Sequence, residues 1–344
     1  MDEQIVPRVA WLTVNRNCNF RCAWCYAKNT SYCLEDEMSF DLAKKLTLLA
    51  VEAGIRKLIL IGGEPSLWKH LIEFNCFCEG LNIKTVLATN AMIFSSDDFW
   101  EKYKEHPNNS VGISLKAHDP HSLREITEVT NFKKVKLGIS RGIDFFKCGV
   151  SMVYNTLNVN SLVDIAHFAI DCGANSISLS PCTPAIDKTG ANSDFMIEPA
   201  KLVSNIIRDY QKLSRITEER LSFSMKLPLC LWPEDFIDML IEKRQITTVC
   251  QLQMKNGIIF SEDGSLTLCN SLFDYPIAKY GIDFVKGNEL LAFLNTRKVV
   301  DFYDDINTYP SEKCITCKKF VYCGGGCVLL WAVYNAEQVI KGYK

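Results

Sequence analysis

Cys18-Asn19-Phe20-Arg21-Cys22-Ala23-Trp24-Cys25 places three thiols within eight residues, shortly after the apolar segment Val9-Ala10-Trp11-Leu12-Thr13-Val14. The apolar run reads as a β-strand, so the thiols fall on the loop at its C-terminal end. Three thiolates on one loop can hold three irons of a four-iron cluster and leave the fourth iron open to chemistry. Zinc is the competing reading, but a zinc knuckle usually pairs Cys-x2-Cys units or adds a nearby histidine. No histidine precedes His70. Buried structural cysteines would need neither this spacing nor an aromatic just before the last thiol.

Cys-x3-Cys-x-aromatic-Cys after a first strand resembles the signature of the radical S-adenosylmethionine (radical SAM) enzymes. The resemblance implies a 4Fe-4S cluster on Cys18, Cys22 and Cys25, with S-adenosylmethionine chelated at the open iron. It further implies reductive cleavage to a 5'-deoxyadenosyl radical that abstracts a hydrogen atom. By position, Trp24 matches the aromatic residue that packs near the adenine.

The chain has 344 residues with 48% hydrophobic content, enough for one large domain or a core with an added module. Lysine and arginine number 38 against 40 acidic residues, so no global basic field points to nucleic acid or to a membrane. No apolar run is long enough to span a bilayer, and Met1-Asp2-Glu3-Gln4 is not the start of a signal peptide. Sixteen cysteines in such a chain read as reduced thiols and metal ligands rather than disulfides, which places the protein in the cytoplasm of an oxygen-avoiding cell.

Downstream of the thiols, Ser39 to Ala53 carries apolar residues at helical spacing and is followed by Gly54 as a stop signal. Lys57-Leu58-Ile59-Leu60-Ile61 reads as the next strand and runs into Gly62-Gly63-Glu64-Pro65. Glycines permit close backbone approach, and a carboxylate can accept from an ammonium group. The radical SAM resemblance assigns Gly62, Gly63 and Glu64 to the amino group of S-adenosylmethionine; the other reading is a plain turn.

Further strands are expected at 84–90, 111–115, 150–154 and 176–180, with helical patterns between them, including Ser161 to Cys172. Strand-helix alternation implies a parallel sheet. Six such repeats fit the family's fold, an α/β partial (β/α)6 barrel with its chemistry at the C-terminal ends of the strands. At those ends Thr89, Asn90 and Ser114 are candidate cofactor contacts, each also an ordinary loop-starting residue. Asn158 matches a frequent family asparagine, with a loop cap as the alternative. Ser114-Leu115-Lys116-Ala117-His118-Asp119 departs from the family pattern by placing Lys116 where an aspartate is usual, and His118 reads as a satisfied loop histidine.

Ile197 to Leu213 reads as the last barrel helix, which bounds the radical SAM barrel at 1–213. A bridge broken by Pro228 and Pro233 follows at 214–249, then a cysteine-rich domain at 250–344. In that domain Cys250-x13-Gly264-x4-Cys269 precedes Cys314-x2-Cys317-x5-Cys323-x3-Cys327. Zinc would suit Cys314-x2-Cys317, but the whole pattern resembles the SPASM extension, which carries auxiliary iron-sulfur clusters in peptide-modifying radical enzymes. By that resemblance Cys250, Cys269 and Cys327 serve one cluster and Cys314, Cys317 and Cys323 another. The family's usual last cysteine is missing, since residues 331–344 contain none. Cys33, Cys76, Cys78, Cys148, Cys172 and Cys230 read as small buried apolar residues.

These features lead to a radical SAM enzyme with one or two auxiliary iron-sulfur clusters that cross-links a side chain of a ribosomally synthesised peptide. Rivals are a peptide epimerase, a small-molecule radical enzyme, a noncatalytic iron-sulfur scaffold or electron carrier, and a sulfatase-maturing oxidase. The oxidase is disfavoured because its usual aspartate base is here Asn270. Epimerisation would need a hydrogen-donating thiol, for which Cys182, just beyond the sixth strand, is the candidate catalytic residue. The resemblance also implies an electron donor such as flavodoxin or ferredoxin. With the first strand beginning at residue 9, peptide recognition is expected from a separate leader-peptide-binding protein or through the core peptide.

Overall fold

The computed structural model describes residues 4–31, 33–247 and 250–341; the expected domain limits at 1, 249 and 344 lie outside the described residues. Six strands lie side by side in chain order and run parallel: β1 (Val9–Asn15), β2 (Lys57–Gly62), β3 (Lys84–Thr89), β4 (Ser110–Leu115), β5 (Val150–Tyr154) and β6 (Ile177–Pro181). β1 and β2 read as near-continuous apolar runs, whereas β3 to β6 alternate buried and less buried positions, and both patterns are legible as strands. Leu12 pairs with Leu60, and Leu60 with Leu87, across three neighbouring strands, and all three side chains are buried.

Parallel neighbours need crossovers, which are supplied by α1 (Phe40–Glu52), α2 (Leu71–Gly80), α3 (Asp97–Tyr103), α4 (Pro120–Thr127), α5 (Phe132–Phe146) and α6 (Leu162–Asp171). α1 shows how the sequence sets an element's limits. The Ser39 hydroxyl accepts from the Leu42 N–H at 3.2 Å, Ala43, Leu46, Leu49 and Ala50 form the buried face, and Gly54 takes a φ of +86° beyond the end.

After the small hairpin β7 (Ala185–Asp187) and β8 (Gly190–Asn192) comes α7 (Pro199–Ile216). α7 begins two residues later than its apolar pattern suggests. Pro199 lacks the N–H that a first helical turn leaves unused, and Glu198 caps the amides of Ala200 and Lys201.

The sheet does not stop at six strands. β9 (Leu221–Ser224) and β10 (Ile246–Thr247), separated by α8 (Glu234–Glu242), continue it beyond β6. On the opposite side β11 (Gly257–Phe260) pairs parallel with β1, and β12 (Ser265–Thr267) and β13 (Ala278–Lys279) follow antiparallel. One eleven-stranded sheet therefore crosses the expected boundaries near 213 and 250. α9 (Gly287–Leu294) then packs on α1, and α10 (Arg297–Ile306) packs on α9. No helix among the described residues is long and apolar enough to cross a membrane.

Candidate radical cluster and auxiliary thiol sites

The β1–β2 register shifts between Thr13 and Asn15, so β1 ends in an irregularity where the thiol loop begins. Asn15 bridges to β2: its side-chain amide donates to the Glu64 carbonyl at 2.9 Å, and its carbonyl accepts from the Gly63 N–H at 2.9 Å. A Cβ on Gly63 would lie 2.3 Å from the Asn17 carbonyl oxygen, and one on Gly62 would lie 2.3 Å from that of Asn15. Both glycines are thus required for the β2 end to lie against the start of the thiol loop.

The loop is tied down at several points. Arg21 N–H donates to Thr127 O at 2.8 Å and Ala23 N–H to Ile126 O at 3.0 Å, fixing it to the end of α4. The Asn90 amide donates to Asn19 Oδ1 at 2.8 Å, fixing it to the end of β3. The Arg21 guanidinium folds back onto the Cys18 and Phe20 carbonyls, and Phe20 is buried. Cys18 and Cys22 are left half-buried and Cys25 exposed, with Trp24 packed against the core between them.

Burial pushes the Cys18 thiol up to about 12; the Phe20 N–H, 3.4 Å from its sulfur, opposes that shift, while Glu64, Cys22 and Cys25 add to it. Burial also raises Cys22, against the ammonium of Lys116, with Cys25 and Glu64 adding to the rise. These mutual influences place the three sulfurs, Glu64 and Lys116 in one neighbourhood. Lys116 donates to Ser114 Oγ at 2.6 Å, so the cation found where the family has an aspartate engages the candidate Ser114.

Glu64 is 2% exposed, and burial raises its carboxyl above the usual range. Its Oε1 accepts from Ser66 Oγ and Thr89 Oγ1, both at 2.6 Å, and from Ser66 N–H at 3.1 Å. Oε2 accepts from Asn90 N–H at 2.7 Å and keeps a lone pair for another donor. Thr89 and Asn90 therefore serve Glu64 and the thiol loop directly. Asn158 uses its side chain to hold its own loop, donating to Val153 O at 2.8 Å and accepting from Asn155 N–H at 2.9 Å. His118 pairs with Asp119 at 2.9 Å, and Asp119 caps α4.

Cys182 follows β6 directly and is half-buried, its N–H donating to Tyr154 O at 2.8 Å. Burial raises its thiol to about 11, against the ammonium of Lys226. The same ammonium faces Cys269 and Cys327. Nothing in the sequence marked Lys226, because only tertiary packing brings it to these thiols. Cys250, Cys269 and Cys327 stand together, as do Cys314, Cys317 and Cys323. The two parts of the chain are linked at Arg16, whose guanidinium pairs with Glu262 at 2.8 Å and lies 3.5 Å above the centre of the Phe273 ring.

Residues 12–169 match the model of the radical SAM superfamily. The chain carries a radical SAM domain. Among curated relatives, a probable GTP 3',8-cyclase of Sulfurisphaera tokodaii is 28% identical over 206 residues, covering 58% of this chain and 63% of that protein. A GTP 3',8-cyclase of Haemophilus influenzae is 32% identical over 165 residues, covering 44% of each chain. The chain thus spans 44–63% of the length of these relatives.

Among solved structures, Streptococcus suis SuiB bound to precursor peptide SuiA aligns over 98% of this chain and 76% of its own, with a TM-score of 0.69 and 19% identity. Native anSMEcpe with bound AdoMet aligns over 97% of both chains, with a TM-score of 0.66 and 15% identity. The fold of this chain is shared with these two structures, and its radical SAM domain takes a 4Fe-4S cluster and S-adenosylmethionine.

The residues present suit those groups. Cys18, Cys22 and Cys25 offer three soft thiols on one fixed loop, and the spare Oε2 lone pair of Glu64 suits an ammonium group. Thr13 Oγ1 and Asn15 Oδ1 are buried acceptors that lack a hydrogen-bond partner among the described residues, at the end of β1 beside Gly62. When bound, the cofactor pair supplies a hydrogen-abstracting radical. The chain's own residues fix the thiols, hold the buried carboxyl and keep Lys116 beside Cys22.

Proposed function

We propose that this radical SAM protein cross-links a side chain of a ribosomally synthesised peptide. Residues 1–213 would perform the radical chemistry, and residues 250–344, reached through the bridge at 214–249, would hold auxiliary iron-sulfur clusters. The supporting observation is the extent of the likeness to SuiB bound to its precursor peptide. It takes in 98% of this chain and therefore the cysteine-rich part, whereas the GTP 3',8-cyclase matches quoted above take in 44–58%.

Cys18, Cys22 and Cys25 would hold the cluster and Glu64 the cofactor's ammonium group, and the bound pair would supply the removal of one hydrogen atom from the peptide. The second hydrogen would leave as a proton as the new bond forms, and an auxiliary cluster held by the C-terminal thiols would supply the acceptor for its electron. An electron donor such as flavodoxin or ferredoxin would start each turnover, and a separate leader-peptide-binding protein would deliver the peptide. Asn270 cannot serve as a carboxylate base, which counts against a sulfatase-maturing oxidase. A GTP cyclase is the second reading, because the identity to those enzymes exceeds that to SuiB.

Anaerobic incubation with dithionite, S-adenosylmethionine and either GTP or a short peptide encoded beside this chain tests the proposal by mass spectrometry. The expected product is a peptide lighter by two hydrogens, formed equally by Cys182→Ala, with GTP unchanged. Cyclised GTP, or a peptide of unchanged mass in water that gains solvent deuterium at an alpha carbon and needs Cys182, would replace the cross-linking reading.

A further inference from the structure

Cys314-x2-Cys317-x5-Cys323 supplies three thiols to a cluster that accepts four, and residues 331–344 contain no cysteine to complete it. An upstream cysteine lies on a turn that touches this group. Cys230 lies in the 3₁₀ turn Leu229–Leu231, where Leu229 and Leu231 are buried and Cys230 is exposed. The turn is fixed by Pro228 before it and by the buried Trp232 after it.

Two sets of contacts bring the turn that carries Cys230 against this cysteine run. The Leu229 N–H donates to Cys323 Sγ at 3.3 Å, so the residue next to Cys230 already touches one of the expected ligands. The segment before it is fastened to the same cysteine run: Cys327 N–H donates to Lys226 O at 2.8 Å. A Cβ on Gly326 would stand 2.8 Å from that same oxygen and 3.0 Å from Pro228 Cδ, so only glycine lets the two segments lie this close.

The separation of the sulfurs also matters. Zinc with Zn–S bonds of about 2.3 Å would bring tetrahedral thiolates to about 3.8 Å from one another. Among the described residues, the one group of three ligand atoms within 4.8 Å of each other is Cys76, Glu79 and His106, on a different part of the molecule. No three of the four sulfurs therefore lie within 4.8 Å of one another, which is wider than the zinc spacing.

We propose that Cys230 is the fourth protein ligand of the iron-sulfur cluster held by Cys314, Cys317 and Cys323, supplied from residues 214–249 in place of the missing downstream cysteine. The other group, Cys250, Cys269 and Cys327, has three thiols and the Lys226 ammonium facing it, so the two auxiliary sites differ in completeness. The inference rests on the reading of residues 250–344 as a cluster-bearing region.

The test is anaerobic reconstitution of the full chain as wild type, Cys230→Ala, Cys230→Ser and the control Cys76→Ala, followed by iron and sulfide analysis, Mössbauer spectroscopy and circular dichroism. Wild type should hold more iron than one four-iron cluster explains. Cys230→Ala should lose about one to four irons per chain with its secondary structure intact. Cys230→Ser should keep the iron with a shifted spectrum, and Cys76→Ala should match wild type. Wild type with excess iron and a Cys230→Ala variant identical to it in iron, sulfide and spectrum would overturn the assignment of Cys230 alone. Wild type limited to a single cluster, or binding zinc at these thiols, would overturn the auxiliary-cluster reading and the proposal together.

Discussion

Cys18, Cys22 and Cys25 stand on one short loop whose hydrogen bonds at Asn19, Arg21 and Ala23 reach no farther than residue 127, whereas the thiols of the C-terminal part meet a turn far upstream, with Leu229 and Cys323 separated by 94 positions. Loop-closure entropy grows only slowly with length, about 0.6 kcal/mol per doubling, so distance alone does not make the second arrangement weak. What differs is dependence. The first set keeps its geometry as long as the ends of β1, β2, β3 and α4 are in place. The second exists only when segments from the bridge and the C-terminal part have docked.

The largest expected effect separates the two sets outright. Replacing Cys18, Cys22 and Cys25 together by alanine should abolish 5'-deoxyadenosine formation under dithionite while the protein retains the iron of its C-terminal thiols. Cofactor cleavage at the normal rate, measured by chromatography, would refute the assignment of that loop.

A second experiment probes the link between the sets. Arg16 and Glu262 have side chains only 5% and 14% exposed, and breaking such a buried pair typically costs about 3–5 kcal/mol because the survivor is stranded. Arg16→Ala should therefore lower the denaturant midpoint substantially, and the double variant with Glu262→Ala should recover part of the loss. A loss under about 0.5 kcal/mol would mean that the two halves are joined by the sheet and not by this pair.

The smallest effect concerns Cys182, whose thiol is raised from 9.0 to about 11 by burial. A raised value means less thiolate, so at pH 8 alkylation by iodoacetamide should run about 100-fold slower than for an ordinary cysteine peptide. The rate should climb with pH until about 11. Labelling of Cys182 at the peptide's rate, read by mass spectrometry, would show a thiol open to water and ill suited to holding a hydrogen atom.

How much of this was legible in the sequence follows from how local each feature is. β1 and β2 were readable as apolar runs holding Leu12, Leu58 and Leu60, and β3 to β6 as alternations that bury Leu87, Ile113, Met152 and Leu179. α1 was bracketed by Ser39 and Gly54. β9 to β13 hold only two to four residues each, too few to show a period, and they become strands because the existing sheet offers them edges. The thiol loop was legible because its spacing is local. Cys230 reads in the sequence as a small buried apolar residue, as free cysteines usually are, whereas the structure exposes it on a turn whose partner, Cys323, lies far along the chain. The support that Thr89 and Asn90 give to Glu64 was likewise invisible, as it depends on which strand ends lie adjacent.

β11 forms its parallel ladder with β1, the strand that carries the cysteine loop. A fragment ending before residue 257 would leave the outer side of Val9 to Leu12 as an unpaired row of amides and carbonyls, next to the cluster loop and open to any other extended chain. The C-terminal part is thus the cover of the radical domain as well as a region of thiols, and expressing the first half alone exposes the very strand on which its chemistry is mounted.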